Sequence, residues 1–227
     1  DHLDRMWVGT RSGLNMWDGE RMKSFSALEN DSTGLPGHEI LKIIQKDHAL
    51  WILAQHNVVC RLDLSTMKTE RYILNHRDIV VYYNQVLVST TNGLFQFDKT
   101  DRVFKSSKLY KVSNSISKMY VDKQMNLWLA NLTTHEIIKL NRQGEKLESV
   151  NYPENADISC ILAEDNELMI GTRTKGIVWW DFDKKIQQNI TSDGGPLKTA
   201  HNNINCILKD NKNRFWIGTF AGLTLLD

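Results

Sequence analysis

The chain has 227 residues, and its 28 Lys and Arg against 27 Asp and Glu leave a net charge of +1, which supplies no basic field for nucleic acid and no acidic one for cationic partners. Three cysteines, Cys60, Cys160 and Cys206, are too few and too scattered for a disulfide framework or paired metal ligands. No apolar run approaches the roughly 18 residues that a membrane helix needs, and Asp1-His2-Leu3-Asp4-Arg5 lacks the charged and apolar regions of a secretion signal.

A tetrapeptide pattern recurs along the chain: Trp7-Val8-Gly9-Thr10, Trp51-Ile52-Leu53-Ala54, Leu87-Val88-Ser89-Thr90, Trp128-Leu129-Ala130-Asn131, Met169-Ile170-Gly171-Thr172 and Trp216-Ile217-Gly218-Thr219. The spacings are 44, 36, 41, 41 and 47 residues, a period that suits a four-stranded propeller blade.

In chain order, the first unit (near 7–18) opens on this strand, continues through Gly13-Leu14-Asn15-Met16-Trp17-Asp18 and adds Arg21–Phe25. The second (near 40–63) begins Ile40-Leu41-Lys42-Ile43-Ile44, turns at Asp47 and lacks a Gly-Leu pair, with Glu70–Leu74 as a fourth strand. In the third (near 79–98), Ile79-Val80-Val81 leads to Gly93-Leu94-Phe95-Gln96-Phe97-Asp98, Leu87 replaces the Trp, and Arg102–Lys105 closes the unit. The fourth (near 116–141) starts at Ile116, turns at Asp122–Asn126, has Leu132–Glu136 in place of a short turn, and ends on Lys146–Val150. The fifth (near 158–181) runs from Ile158-Ser159-Cys160-Ile161-Leu162 to Gly176-Ile177-Val178-Trp179-Trp180-Asp181. The sixth, near 204–227, is the clearest copy.

Asp and Asn between the first two strands can bond nearby backbone, and Gly between the second and third supplies the freedom of a tight hairpin. Blades press on one another through both faces, so runs such as Val178-Trp179-Trp180 are expected. Residues that recur at one strand position are expected to pack, including Trp7, Trp51, Trp128 and Trp216, then Trp17 and Trp180, and also Cys160 and Cys206. The fold class is therefore all-β, a β-propeller of four-stranded antiparallel blades over 1–227 as one domain. The chain starts before a second strand and stops after a third, so completing one blade from both ends would duplicate strands. That phase predicts a fragment of five to six blades, truncated at both ends, with an edge able to pair with another copy.

The combination of Ile-x-x-Ile, an Asp/Asn turn, Trp-Ile-Gly-Thr, Gly-Leu and a closing Asp, best seen from Ile204 to Asp227, resembles the two-component regulator propeller repeat. Leu35-Pro36-Gly37-His38-Glu39-Ile40 is similar to that family's lead-in to a blade. The resemblance implies the periplasmic sensor region of a Bacteroidetes hybrid histidine kinase and response regulator, with its kinase domains outside this chain. It further implies an oligosaccharide ligand, control of glycan-utilisation genes and a homodimer in the full-length protein. No nucleic acid, cofactor or direct membrane contact is implied for this segment.

Propellers bind through the loops that link second to third strands and successive blades. Those loops offer Arg11, His56, Asn57, Asn92, His135, Arg173, Lys175 and Phe220, and the long connections at 26–39 and 191–203 add His38 and His201. Arg, His and Asn can hydrogen-bond hydroxyls or pair with acidic groups on a sugar. Catalytic motifs are missing: His135-Glu136-Ile137-Ile138-Lys139 stops one residue short of a zinc helix, and there is no nucleophile elbow, phosphate loop or calcium loop. No catalytic or metal-ligating residue is assigned. The leading reading is a sensor without chemistry of its own. An enzyme propeller (lyase or glycosidase) would need a carboxylate pair or a Tyr/His/Arg cluster in the mouth, and an interaction scaffold would need an apolar patch.

Overall fold

The computed structural model describes residues 1–25, 39–110 and 115–226. Candidate His38, the lead-in Leu35-Pro36-Gly37 and the closing Asp227 lie outside the described residues. Among those described there is no helix, and the strands form six antiparallel sheets in two compact units, Asp1–Lys108 and Leu109–Asp227.

The first unit holds three sheets. They comprise β1 (Met6–Thr10), β2 (Gly13–Trp17) and β3 (Met22–Phe25), then β4 (Ile40–Lys46), β5 (Ala49–Ala54), β6 (Val58–Asp63) and β7 (Thr69–Ile73), then β8 (His76–Tyr82), β9 (Gln85–Thr90), β10 (Gly93–Asp98) and β11 (Val103–Ser106). The second unit continues with β12 (Ile116–Val121), β13 (Leu127–Asn131), β14 (Glu136–Leu140) and β15 (Lys146–Asn151), then β16 (Ile158–Glu164), β17 (Glu167–Thr172), β18 (Ile177–Asp181) and β19 (Ile186–Ile190), then β20 (Ile204–Lys209), β21 (Phe215–Thr219) and β22 (Gly222–Leu226). Every sheet is a meander of sequential neighbours, which is the form of a propeller blade. The first and sixth show three strands among the described residues and the others four. Strand β19, Ile-Gln-Gln-Asn-Ile, has no sequence signal because its residues are mostly polar and exposed.

The recurring positions are packing positions. Trp51, Leu87, Trp128 and Met169 are each about 3% exposed or less, while Trp7 and Trp216 are half-buried. Opposite each of these six residues, on the third strand, stand Arg61, Gln96, Lys139, Trp179, Met16 and Leu225 respectively, so the six sheets share one register. Two expectations fail on the outermost sheets. Trp17 is 36% exposed and Cys206 is exposed, because each lies on a sheet face that no other sheet of its own unit covers. Cys60 is fully buried, and burial pushes its thiol up to about 12 and that of Cys160 to about 11, so neither offers a thiolate.

The glycine of the signature is where the next blade comes closest. A methyl group on Gly9 would stand 2.5 Å from Ile40 Cγ2, and one on Gly171 would stand 2.5 Å from Cys160 Sγ and 2.7 Å from Ile204 Cγ2. The leading Ile of one blade thus fills the space left by the missing side chain of the blade before it. All five first strands also slip register just after that residue, between Ile40 and Lys42, His76 and Asp78, Ile116 and Lys118, Ile158 and Cys160, and Ile204 and Cys206. These are β-bulges, and each re-aims one residue: Leu41, Arg77, Ser117, Ser159 or Asn205.

The third blade begins earlier than its pattern suggests. Strand β8 starts at His76, which takes the place of the leading Ile, and Ile79 corresponds to Ile43. Buried His76 donates through Nε2 to the Ala54 carbonyl at 2.8 Å, and burial holds its pKa below the usual imidazole value. A neutral ring with a carbonyl partner can therefore stand where an aliphatic side chain is expected.

Three turn devices repeat. The Asp ahead of the signature accepts from the indole: Trp7 Nε1 to Asp1 at 2.6 Å, Trp128 Nε1 to Asp122 at 3.0 Å and Trp216 Nε1 to Asp210 at 2.9 Å. The signature Thr donates to the glycine carbonyl across the hairpin, Thr10 to Gly13, Thr90 to Gly93, Thr172 to Gly176 and Thr219 to Gly222. The closing Asp accepts amide hydrogens of the following turn, as Asp18, Asp63 and Asp98 do.

These carboxylates make the fold acid-sensitive. The Trp216 indole N–H, then the amide and guanidinium of Arg214, hold the Asp210 carboxyl well below its usual value, and the Lys105 ammonium holds Asp98 at about 2. A depressed carboxyl stabilises the fold fully above its unfolded pKa and loses that contribution as pH falls through the folded one. Melting temperature is expected to be flat above pH 5 and to fall from about 4 towards about 2, the span of the Asp98 shift. Asp210→Asn is expected to make that decline shallower, as read by thermal unfolding across a pH series.

Candidate functional site

Four of the hairpin loops between second and third strands are held by the signature Thr, and in the fourth blade Asn131 Oδ1 instead accepts the Thr133 and Thr134 amides. In the first unit, Arg11 reaches Glu39 at 3.8 Å, and Gln55 also hydrogen-bonds Glu39, so the loops of the first two blades share one carboxylate. His56 and Asn57 both have positive φ (61° and 62°), the geometry of a two-residue hairpin turn, and the Asn57 carbonyl accepts from the Leu74 amide. Asn92 gives its amide hydrogen to Thr90 Oγ1, and its neighbour Thr91 accepts from Asn75 at 3.2 Å. These four candidates lie on successive hairpin loops at one end of the sheets of the unit.

The second unit brings more together. Thr172 Oγ1 accepts the Lys175 amide at 2.8 Å, while the Arg173 and Gly176 amides donate to the Asp157 and Asn202 carbonyls, so the Arg173–Lys175 loop is tied to the connection before the sixth blade. Arg173 Nη1 donates to Asn205 Oδ1 at 2.9 Å, and Lys175 Nζ reaches the Glu154 carbonyl at 3.2 Å. His201 packs beside Phe220, with ring centroids 5.8 Å apart, and Phe220 is 77% exposed. The Asn203 amide donates to His201 Nδ1 at 2.9 Å while the Asn203 carbonyl accepts from the Phe220 amide. With Nδ1 accepting, the neutral ring carries its proton on Nε2 and presents a donor. His135 is placed differently, edge-on to Tyr152 at 5.7 Å.

Segment 201–205 therefore gathers Arg173, His201 and Phe220, with Lys175 on the same tied loop. Chemically it offers a guanidinium, an ammonium, amides, an imidazole and an exposed ring face, groups that hydrogen-bond hydroxyls and pair with carboxylates or sulfates. Asn205 and Asn203 escaped the sequence reading. Asn205 is the residue re-aimed by the sixth-blade bulge, and the signal for it was the variable position after the leading Ile. Among the described residues no group of three or more His, Cys, Asp or Glu could hold a metal ion, and no helix is long and apolar enough to cross a membrane.

Six meander sheets joined in sequence, with functional groups carried on their loops, define the β-propeller class. Residues 200–221 match the family model described as two component regulator propeller, and His201, Asn203, Asn205 and Phe220 all lie inside that segment. The extracellular domain of a putative hybrid two component system from B. thetaiotaomicron is similar at 18% identity and a TM-score of 0.75, over 97% of this chain and 31% of that one. A second such domain from the same organism is similar at 16% identity and a TM-score of 0.69, over 99% and 36%. A streptogramin B lyase structure is similar at 12% identity and a TM-score of 0.71, over 100% and 76%. At these identities the likeness shows the fold, and the chain spans about a third of the two-component chains it resembles. A search of the curated proteins finds no match.

Proposed function

We propose that this chain is the ligand-sensing propeller of a hybrid two-component regulator, placed on the periplasmic side of the membrane and without catalytic chemistry of its own. Its ligand is an oligosaccharide, held by segment 201–205 and the loop bearing Arg173 and Lys175. Binding biases the geometry of a homodimer, whose kinase domains lie outside this chain and control glycan-utilisation genes.

One observation carries the reading. The segment that matches the two component regulator repeat is the segment that places an exposed aromatic ring beside His201 and an asparagine against Arg173. An exposed Phe beside donors suits a sugar, which has an apolar ring face and a rim of hydroxyls. Phe220→Ala and Arg173→Ala are each expected to weaken a glycan found by calorimetric screening about tenfold, roughly 1.4 kcal/mol. Binding unchanged in both variants would place the ligand elsewhere.

A further inference from the structure

A second cleft lies in the first unit, between its second and third blades, at the end of the sheets opposite the hairpin loops of His56 and Asn92. Its volume is about 220 Å³, and its floor is Trp51, Phe97, Ala49 and Val86. The two rings meet edge to face at 4.6 Å, and each is less than a tenth exposed, so the floor is rigid and apolar. A cavity of about 150 Å³ accepts benzene, so there is room for one or two fused rings.

The rim is charged and unbalanced. Lys46, Arg61, Lys99 and Arg102 face Asp47 and Glu70. Each carboxylate is shared by two cations: Asp47 by Lys46 and by Lys99 at 3.7 Å, and Glu70 by Arg61 at 3.1 Å and by Arg102. Outside the lining, Asp63 also takes Arg61 at 3.6 Å, and Asp98 and Asp101 are both taken by Lys105, so within the lining itself four cations face two carboxylates. Lys99 and Arg102 are the most exposed of the rim cations and sit on the turn that joins β10 to β11. An apolar floor under a cationic rim selects for an amphiphilic anion, because a cation meets the surplus charge and a purely polar anion gains nothing from the rings.

We propose that this cleft binds a small flat organic acid, its apolar body on Trp51 and Phe97 and its carboxylate between Lys99 and Arg102. The guanidinium fork of Arg102 matches a carboxylate's two oxygens while Glu70 keeps its bond to Arg61. The site is independent of the oligosaccharide reading, since it lies in the other unit and uses none of its residues.

The test titrates the full chain with naphthalene-2-carboxylate and, separately, with the shape-matched cation 2-naphthylmethylammonium, following the Trp51 indole and the Phe97 and Lys99 amides by NMR. Saturable shifts at those groups are expected with the acid and not with the amine. Lys99→Glu with Arg102→Glu, a double change on an exposed turn, is expected to weaken the acid about tenfold or more, while Phe220→Ala leaves it unchanged. No saturable shift with the acid, equal binding of the amine, or full affinity in the folded charge-reversed chain would overturn the proposal. Should the double variant not fold, the acid and amine titrations of the unaltered chain decide.

Discussion

Trp128→Ala is expected to lower the unfolding free energy by about 3–5 kcal/mol, the range for removing a fully buried large aromatic. Trp128 is 3% exposed and lies in the core shared by β13 with β16, β17 and β18, beside Ala130, Ile137, Ile161 and Trp180. Its indole N–H is bonded to Asp122 at 3.0 Å, and that carboxylate also accepts the Asn126 amide at 2.7 Å. The truncation therefore opens a cavity and leaves a buried carboxylate, 5% exposed, without one of its donors. Trp216→Ala is expected to cost clearly less, because that ring is half-buried although its bond to Asp210 is the same. Urea unfolding followed by circular dichroism gives both values. A loss below about 1 kcal/mol for Trp128 would contradict its role as a packing residue between blades.

Gly171→Ala is the second large effect, at about 1–3 kcal/mol for overpacking a close contact. The new methyl group would stand within van der Waals distance of Cys160 Sγ and of the Ile204 side chain, which belong to adjacent sheets. Gly194→Ala is the control, with its nearest neighbour at 3.3 Å, and should stay within about 0.5 kcal/mol. Combining Gly171→Ala with Ile204→Ala moves the missing volume from one sheet to the other, so the double variant is expected to lose less than the two single losses added together. Strict additivity would show that the two residues do not share the contact.

The same contact explains what the sequence could reveal. Trp, Ile and Gly recur because blades within a unit meet through the same residues, Gly9 against Ile40 and Gly171 against Ile204, so a repeated physical requirement becomes a readable period. Trp179 stands opposite Met169 and Arg61 opposite Trp51, the same register in two blades. Where a position is met by different chemistry the pattern fails: His76 replaces an aliphatic residue because the Ala54 carbonyl satisfies its ring, and the third blade consequently starts before its apolar run. Polar β19 has no pattern because one apolar contact, fully packed Ile190, suffices to seat it beside β18. The Asp–Trp bond was within reach, since Asp1, Asp122 and Asp210 each precede a Trp by six residues, but an Asp in a turn is already explained by local backbone bonding.

The candidate site was legible only as a set of loops. Arg173 and Asn205 are 32 positions apart and occupy non-repeating places, so only folding puts them at 2.9 Å. His201 and Phe220 were both named from sequence, yet their adjacency depends on the Asn203 amide and carbonyl that hold the two loops together. Loops free of packing duty vary in this way, so no period in the sequence reveals which of their side chains meet.

The sensor reading separates from the enzyme reading in one measurement: calorimetric titration with a panel of oligosaccharides, followed by chromatography of each bound ligand after prolonged incubation with the chain. The account predicts saturable binding of at least one glycan, weakened by Phe220→Ala, and recovery of that glycan intact. Recovery of cleaved or unsaturated products would contradict it, as would saturable binding of no glycan in the panel.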